Sequence, residues 1–213
     1  HIGRILKWLE DEKLAEDTMV IFTSDNGPET TWRQRIELYG HHSNGIYREG
    51  KRSIYEGGHR VPFLIRWPAK VKAAAQWNEP VCQTDLLATF AQMLGKKLPE
   101  NAGEDSDSFY GVLTGTKETI PRVSMVHHSS QGRYAIREGK WKLVMEDARK
   151  NKRELYDLSS DPRETKNLVA KHPDIERQLA AKLTALVNNG RSTPGEPQKN
   201  DTPRWRDLVW IKQ

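Results

Sequence analysis

Residues 19–68 read MVIFTSDNGPETTWRQRIELYGHHSNGIYREGKRSIYEGGHRVPFLIRWP, and the two ends of this stretch decide how the chain is read. Met19 to Phe22 is an unbroken apolar run that leads into Thr23 and Ser24. A short run of β-branched and aromatic residues predicts a strand buried on both faces. Asp25-Asn26-Gly27-Pro28 then stops it with a strong turn signal. Ligands of open α/β sheets sit just beyond the carboxyl ends of strands, so Asp25 and Asn26 stand where a site would open. Both offer oxygen, the donor that Ca²⁺ and Mg²⁺ require. On spacing alone, a plain Asx turn explains the same residues. At the far end, Pro62 opens a second short strand, Phe63 to Trp67, closed by Pro68.

Upstream, residues 2–16 carry an amphipathic pattern with Ile2, Ile5, Leu6 and Leu9 on one face, which predicts a helix feeding the first strand. Helix followed by strand is the αβ unit of a mostly parallel sheet. The chain opens inside this pattern, with no initiator methionine, signal peptide or capping residue ahead of it. The expectation is the C-terminal part of a longer protein. Between the two strands, residues 30–60 show little periodicity and read as a long functional loop. That loop holds Lys51 and the Gly57-Gly58 pair, whose lack of side chains permits close backbone approach.

Downstream, Thr84 or Asp85 can cap a helix from Leu86 to Leu94, with Leu87, Phe90, Ala91 and Leu94 as its apolar face and Gly95 as its stop. Residues 96–121 are polar and rich in turn formers, and mark the expected domain boundary. Residues 123–128 predict a strand. A hairpin around Glu138-Gly139 follows, with Tyr134, Ile136, Trp141 and Leu143 on one face. Residues 154–168 add a short strand and a turn at Asp161-Pro162. A helix from Pro173 to Asn188 has Ile175, Leu179, Leu183 and Leu186 as its stripe and Gly190 as its stop. The tail contains Trp205 and Trp210, read as a clamp over the domain.

Composition narrows the class. Of 213 residues, 36% are hydrophobic and 30% charged, and no run approaches membrane-spanning length. The formal charge of +5 is spread along the chain without a nucleic-acid motif, so it reads as a solvated surface with a mild preference for anions. Cys82 is the single cysteine, so no intrachain disulfide can form; it reads as a small buried apolar residue.

Three segments, TSDNGPE (23–29), GK (50–51) and YEGGHRVPFLIRWP (55–68), resemble the sulfatase family, of the formylglycine-dependent arylsulfatase type. GRYAIREGKWKL (132–143) and ELYDLSSDPRETKNL (154–168) resemble its C-terminal subdomain. The resemblance implies an α/β fold. Residues 1–118 would be the C-terminal part of an alkaline-phosphatase-like mixed-sheet catalytic domain. Residues 119–190 would form a small α+β subdomain of antiparallel strands plus a helix, and 191–213 an extended tail.

It also implies sulfuric ester hydrolysis, with Asp25 and Asn26 as ligands of Ca²⁺, or of Mg²⁺ in some members, and Lys51 against the sulfate. The Cys-or-Ser, x, Pro, x, Arg signature where formylglycine is made is absent from these residues. The remaining metal ligands and the upstream lysine and histidines are absent too, so a missing N-terminal part of the same protein is the expected partner. The 213 residues alone are expected to be inactive. Where the family commonly shows Arg-Gly-x-Lys or Gly-Gly-Lys, this chain has Arg48-Glu49-Gly50-Lys51, placing a negative charge near the site that is expected either to point away or to be neutralised by Arg48 or Arg52. His41, His42, His59, His127 and His128 match no catalytic histidine of the motif; His128, at a strand end, is the one chosen as a substrate contact. Glu56 with Arg60 reads as an ion pair shaping the loop.

The implied substrate is a sulfate-ester small molecule or sulfated glycan, and the implied location is exported, in the bacterial periplasm or outside the cell. Two alternatives remain open: a phosphodiesterase or phosphonate hydrolase of the same superfamily, and a non-catalytic metal- or glycan-binding module.

Overall fold

In the computed structural model, which describes residues 1–147, 152–201 and 207–211, the chain runs through α1 (Ile2–Asp11), β1 (Val20–Thr23), α2 (Trp32–Tyr39), α3 (Glu56–His59), β2 (Phe63–Arg66), α4 (Asp85–Met93) and α5 (Tyr110–Leu113). It continues through β3 (Ser124–His128), β4 (Tyr134–Glu138), β5 (Trp141–Val144), β6 (Glu154–Asp157) and α6 (Pro173–Asn189). Two compact units result: His1–Ser24 with Pro62–Arg122, and Asp25–Val61 with Val123–Gln213.

In the first unit, β1 pairs with β2 antiparallel, Phe22 opposite Leu64. This corrects the expected parallel αβ arrangement and two-sided burial. Phe22 is 44% and Leu64 57% exposed, because each strand has one sheet neighbour and their shared outer face is uncovered among the described residues. α1 likewise buries Leu9 while Ile2 and Ile5 stay exposed. α4 forms where expected but presents a different face. Leu87 and Leu94 are exposed, and Asp85 and Thr89 are buried. Polar bonds decide its rotation. The Asp85 carboxylate accepts from Cys82 N (2.8 Å), Asp107 N (3.0 Å) and Arg122 Nε (3.2 Å), and Thr89 Oγ1 accepts from Phe109 N (3.1 Å). Leaving such acceptors unpaired inside would cost more than exposing two leucines. Cys82 is only half-buried.

In the second unit, β3-β4-β5-β6 form an antiparallel meander. Alternation sends Ile136, Leu143 and Leu155 to one face, where α6 lays Leu179 and Leu183 on them, with Ile175 and Leu186 alongside. Gly190 ends α6 in the left-handed conformation, as expected from its position after the stripe. The opposite face is covered as well. Ala135, Val144 and Tyr156 pack on Ile54 and Tyr55 of the segment that leads into α3. The sheet is thus held between a helix and the motif-bearing segment, and Lys142 falls on the motif side, fully buried.

The long 30–60 connection contains α2, which was not expected. It has no buried residue, and its apolar side chains at i, i+4 and i+7, Trp32, Ile36 and Tyr39, make only a short stripe in a polar stretch. Trp210 packs edge-on against Tyr134, and its indole donates to Thr184 Oγ1 at 3.1 Å. Trp205 lies outside the described residues.

Candidate active site

The 25–29 turn and the Lys51 loop are tied together by backbone. Gly27 N donates to Gly58 O at 2.9 Å, Lys51 N to Pro28 O at 2.9 Å, and Gly57 N to Arg48 O at 2.9 Å. Three strands of chain cross here with no room for side chains. A Cβ on Gly27 would run into Gly57 O, and one on Gly57 into the carbonyls of Arg48 and Glu49. The glycines of this stretch are therefore a packing requirement, and they set the Asp25-Asn26 turn beside Lys51.

Backbone strain flanks Lys51. Glu49 (φ 62°) and Arg52 (φ 75°) both sit in the left-handed region without being glycine. Ion pairs hold both residues. Glu49 is paired with Arg33, so of the two expected alternatives neutralisation by Arg48 or Arg52 is not the one found. Arg52 instead donates to both oxygens of Glu29, at 2.7 and 3.4 Å. Arg48 lies over the Tyr55 ring, 3.6 Å from its centroid, and donates to Tyr156 Oη (3.1 Å) and Glu164 O (2.9 Å). The Lys51 ammonium is half-exposed and 3.4 Å from Glu29 Oε2. Arg52 first, then the Thr30 amide, hold the Glu29 carboxyl down to about 2.

His128 ends β3, exposed, with its ring stacked on Tyr134 at 4.2 Å. Partial desolvation of the stacked ring lowers its pKa, against the pull of Asp207. The turn that follows reaches the Lys51 loop, where Ser130 N and Oγ both donate to Arg52 O, at 3.2 and 3.3 Å. His41 and His42 are exposed just beyond α2.

Sequence reasoning missed the group beneath the loop. Lys142 Nζ lies 3.0 Å from Glu56 Oε1 and 2.8 Å from Glu164 Oε1. Glu164 Oε2 in turn accepts from Glu56 N at 2.6 Å. Glu56 also meets His59 Nε2 (3.2 Å) and Arg60 Nη1 (3.4 Å), so the expected Arg60 pair is present but peripheral. Burial opposes ionisation of Glu56, yet the His59 bond and the Lys142 charge more than offset it and its pKa is lowered. Glu164 is dominated by burial and is raised. The signal for Lys142 was the apolar row formed by Ala135, Val144 and Tyr156 on its own face, which marks that face as covered.

Among the described residues, two donor sets come into question for a cation. Glu56, His59 and His127 have ligand atoms within 4.8 Å of one another. The Lys142 ammonium already stands among them, 3.4 Å from His59 Nε2. The two imidazoles are stacked at 3.9 Å with 19° between their planes, so their in-plane lone pairs run side by side and do not converge. A divalent ion there would face Lys142 and Arg137. Asp25 and Asn26 suit a hard cation better by chemistry, being a carboxylate and an amide oxygen. Asn26 Nδ2 donates to Gly27 O at 3.0 Å, which turns the amide nitrogen to the backbone and its oxygen to the other side.

Known proteins resemble this chain over most of its length. Residues 44–189 match the family model described as N-sulphoglucosamine sulphohydrolase, C-terminal. An N-acetylgalactosamine-6-O-sulfatase of Bacteroides thetaiotaomicron is 38% identical over 202 residues, covering 87% of this chain and 39% of that protein. A solved Bacteroides thetaiotaomicron sulfatase, described within the metabolism of multiple glycosaminoglycans, superposes with a TM-score of 0.78 at 35% identity, covering 87% of this chain and 42% of that one. A protein solved in complex with its substrate D-glucosamine-2-N,6-O-disulfate gives 0.69 at 26% identity, covering 86% and 37%. The chain thus spans about two fifths of the length of these relatives. Its mixed α/β architecture is that of the alkaline-phosphatase-like sulfatases, and the chain belongs to the sulfatase family, of which it forms a C-terminal portion.

Proposed function

We propose that the whole protein of which this chain is part hydrolyses sulfate esters of sugars, and that Asp25, Asn26 and Lys51 belong to its active site. The observation that carries the reading is the glycine-lined crossing that fixes the Asp25-Asn26 turn against Lys51 in a chain of this family. Lys51 places a compact positive charge where nonbridging sulfate oxygens gather negative charge, and it donates hydrogen bonds to them. The Asp25 carboxylate and the Asn26 amide oxygen hold Ca²⁺, or Mg²⁺, which supplies Lewis-acid charge to the sulfate when bound. Two ligands fall short of the roughly six to eight oxygens that Ca²⁺ takes, so the N-terminal part supplies the rest, together with the formylglycine nucleophile. His128 lines the substrate entrance, on the β3 end whose following turn bonds the Lys51 loop.

Residues 1–118 fall to the catalytic domain in this reading, 119–190 to the α+β subdomain and 191–213 to a surface tail. Sulfated amino sugars are the substrate class, in line with the substrates named for the relatives above. Such polymers lie outside cells, which favours an exported, periplasmic or extracellular protein. No helix among the described residues is long and apolar enough to cross a membrane.

The test is turnover of an aryl sulfate and of 6-O-sulfated N-acetylgalactosamine by the full-length protein. Lys51→Ala is expected to lower kcat/KM by about 10²–10³. Full activity in that variant would remove Lys51 from the site. Turnover of aryl phosphate in place of sulfate would establish a phosphoesterase instead.

A further inference from the structure

The cation proposed to meet substrate does not stand alone. The Lys51 N to Pro28 O bond puts Glu29, the next residue along, directly beside Lys51. One carboxylate then serves two cations, with Lys51 Nζ 3.4 Å from Oε2 and Arg52 Nη1 2.7 Å from Oε1. Its placement is enforced. Thr30 N and Oγ1 donate to Oε1 at 2.8 and 3.1 Å, and Arg52 adopts a left-handed backbone (φ 75°) while its guanidinium closes on Glu29. The Arg52 carbonyl is pinned in turn by Ser130. An anion bound at Lys51 therefore meets a fixed negative charge across a single ammonium group.

We propose that Glu29 is a specificity-determining residue, whose carboxylate lets the site accept monoanionic sulfate esters and turns away dianionic phosphate monoesters of the same shape. The inference rests on the sulfatase reading above and deepens it. A sulfate monoester carries one negative charge, whereas a phosphate monoester passes to two as its second ionisation, at about pH 6, completes. Tetrahedral geometry is common to both, so shape and hydrogen-bond donors separate them poorly. Charge separates them, because each added unit of ligand charge feels Glu29 again. Without Glu29, the unpaired Lys51 and Arg52 would together favour the dianion.

The experiment compares 4-nitrophenyl sulfate with 4-nitrophenyl phosphate on the full-length protein, for wild type, Glu29→Gln and Glu29→Asp. Gln keeps the size and the acceptor for Arg52 and Thr30 while removing the charge. At about pH 8, Glu29→Gln is expected to raise the phosphate-to-sulfate ratio of kcat/KM about tenfold; at about pH 5, where the dianionic fraction of the phosphate ester has fallen, the gain shrinks to about half of that or less. Glu29→Asp, which keeps the charge, stays within about twofold of wild type at both values. A ratio unchanged in Glu29→Gln at the higher pH overturns the proposal, as does an equal gain at both. Wild-type protein inert toward the sulfate ester overturns the sulfatase reading and this inference with it, an outcome distinct from the first two.

Discussion

The Lys142 ammonium stands 2.8 Å from Glu164 Oε1, and neither side chain has solvent access. Glu56, 3.0 Å away on the other side, completes a buried row of one cation between two carboxylates. The row joins β5 to the 154–168 segment and to the start of α3, from which Gly57 and Gly58 reach the 25–29 turn and the Lys51 loop. Removing the cation would leave two carboxylates facing each other in a low-dielectric interior. Lys142→Met is expected to destabilise the protein by about 3–5 kcal/mol, the usual cost of an orphaned buried charge. Adding Glu164→Gln to it should recover about half, because one of the stranded charges is then gone. Urea unfolding of the two variants checks this. A single variant within about 1 kcal/mol of wild type would mean that the row is solvated in practice.

The two histidines beneath the loop give an acid sensitivity whose sign follows from their burial. The Nε2 of His127 is enclosed without a hydrogen-bond partner. Burial first, then the charges of His59, Lys142 and Arg137, against the pull of Glu56, hold its pKa well below 6.5. His59 is lowered too, chiefly by burial and despite its bond to Glu56. A histidine depressed in the folded state binds fewer protons there than in the unfolded chain. Its neutral form thus contributes fully above pH 6.5, and stability is lost as pH falls from there toward the folded value. Glu164, raised by burial, works in the opposite sense, so the wild-type curve is a sum. The comparison with His127→Phe isolates the histidine. The variant keeps an aromatic face against His59 and should gain on wild type steadily between about pH 7 and about pH 5. A constant difference in denaturation midpoint across that range would refute the assignment.

How far the chain could be read without coordinates depended on whether a residue's environment is local. The hairpin at Glu138-Gly139 and the α6 stripe are periodic signals, and both formed where alternation and 3.6-residue spacing put them. Helix α2 escaped because its apolar set, Trp32, Ile36 and Tyr39, spans only two turns among polar residues, and none of its residues is buried. The two faces of β5 show the limit most clearly. Leu143 was legible as core, while Lys142 beside it reads as solvent-facing until residues 54–56, far upstream in the chain, are seen to cover that side. Lys51 and the Asp25-Asn26 turn stood out through motif resemblance; the carbonyl-to-amide crossings that join them leave no mark except the glycines. Phe22 went wrong for the converse reason, since an apolar run states a demand for cover without saying what supplies it.

Glu49 offers a test of the strained loop itself. It sits at φ 62°, where an L side chain crowds its own backbone. Its exposed pair with Arg33 compensates little, since such pairs contribute about 0–1 kcal/mol. Glu49→Gly and Glu49→Ala both lose that pair, so their difference reports the backbone alone. Glycine adopts the left-handed conformation freely and alanine does not, and the glycine variant should be the more stable by about 1 kcal/mol despite its greater unfolded-state entropy. The same ordering is expected in activity. Glu49 lies two residues from Lys51, and its carbonyl accepts from Asn44 Nδ2 at 3.1 Å, so an alanine that drags the backbone out of the left-handed region moves the Lys51 ammonium with it. Thermal unfolding with kcat/KM for the two variants decides the matter. Equal stabilities, or an alanine variant that is the more stable, would show that the backbone relaxes at no cost and that the conformation at Glu49 does not hold Lys51 in place.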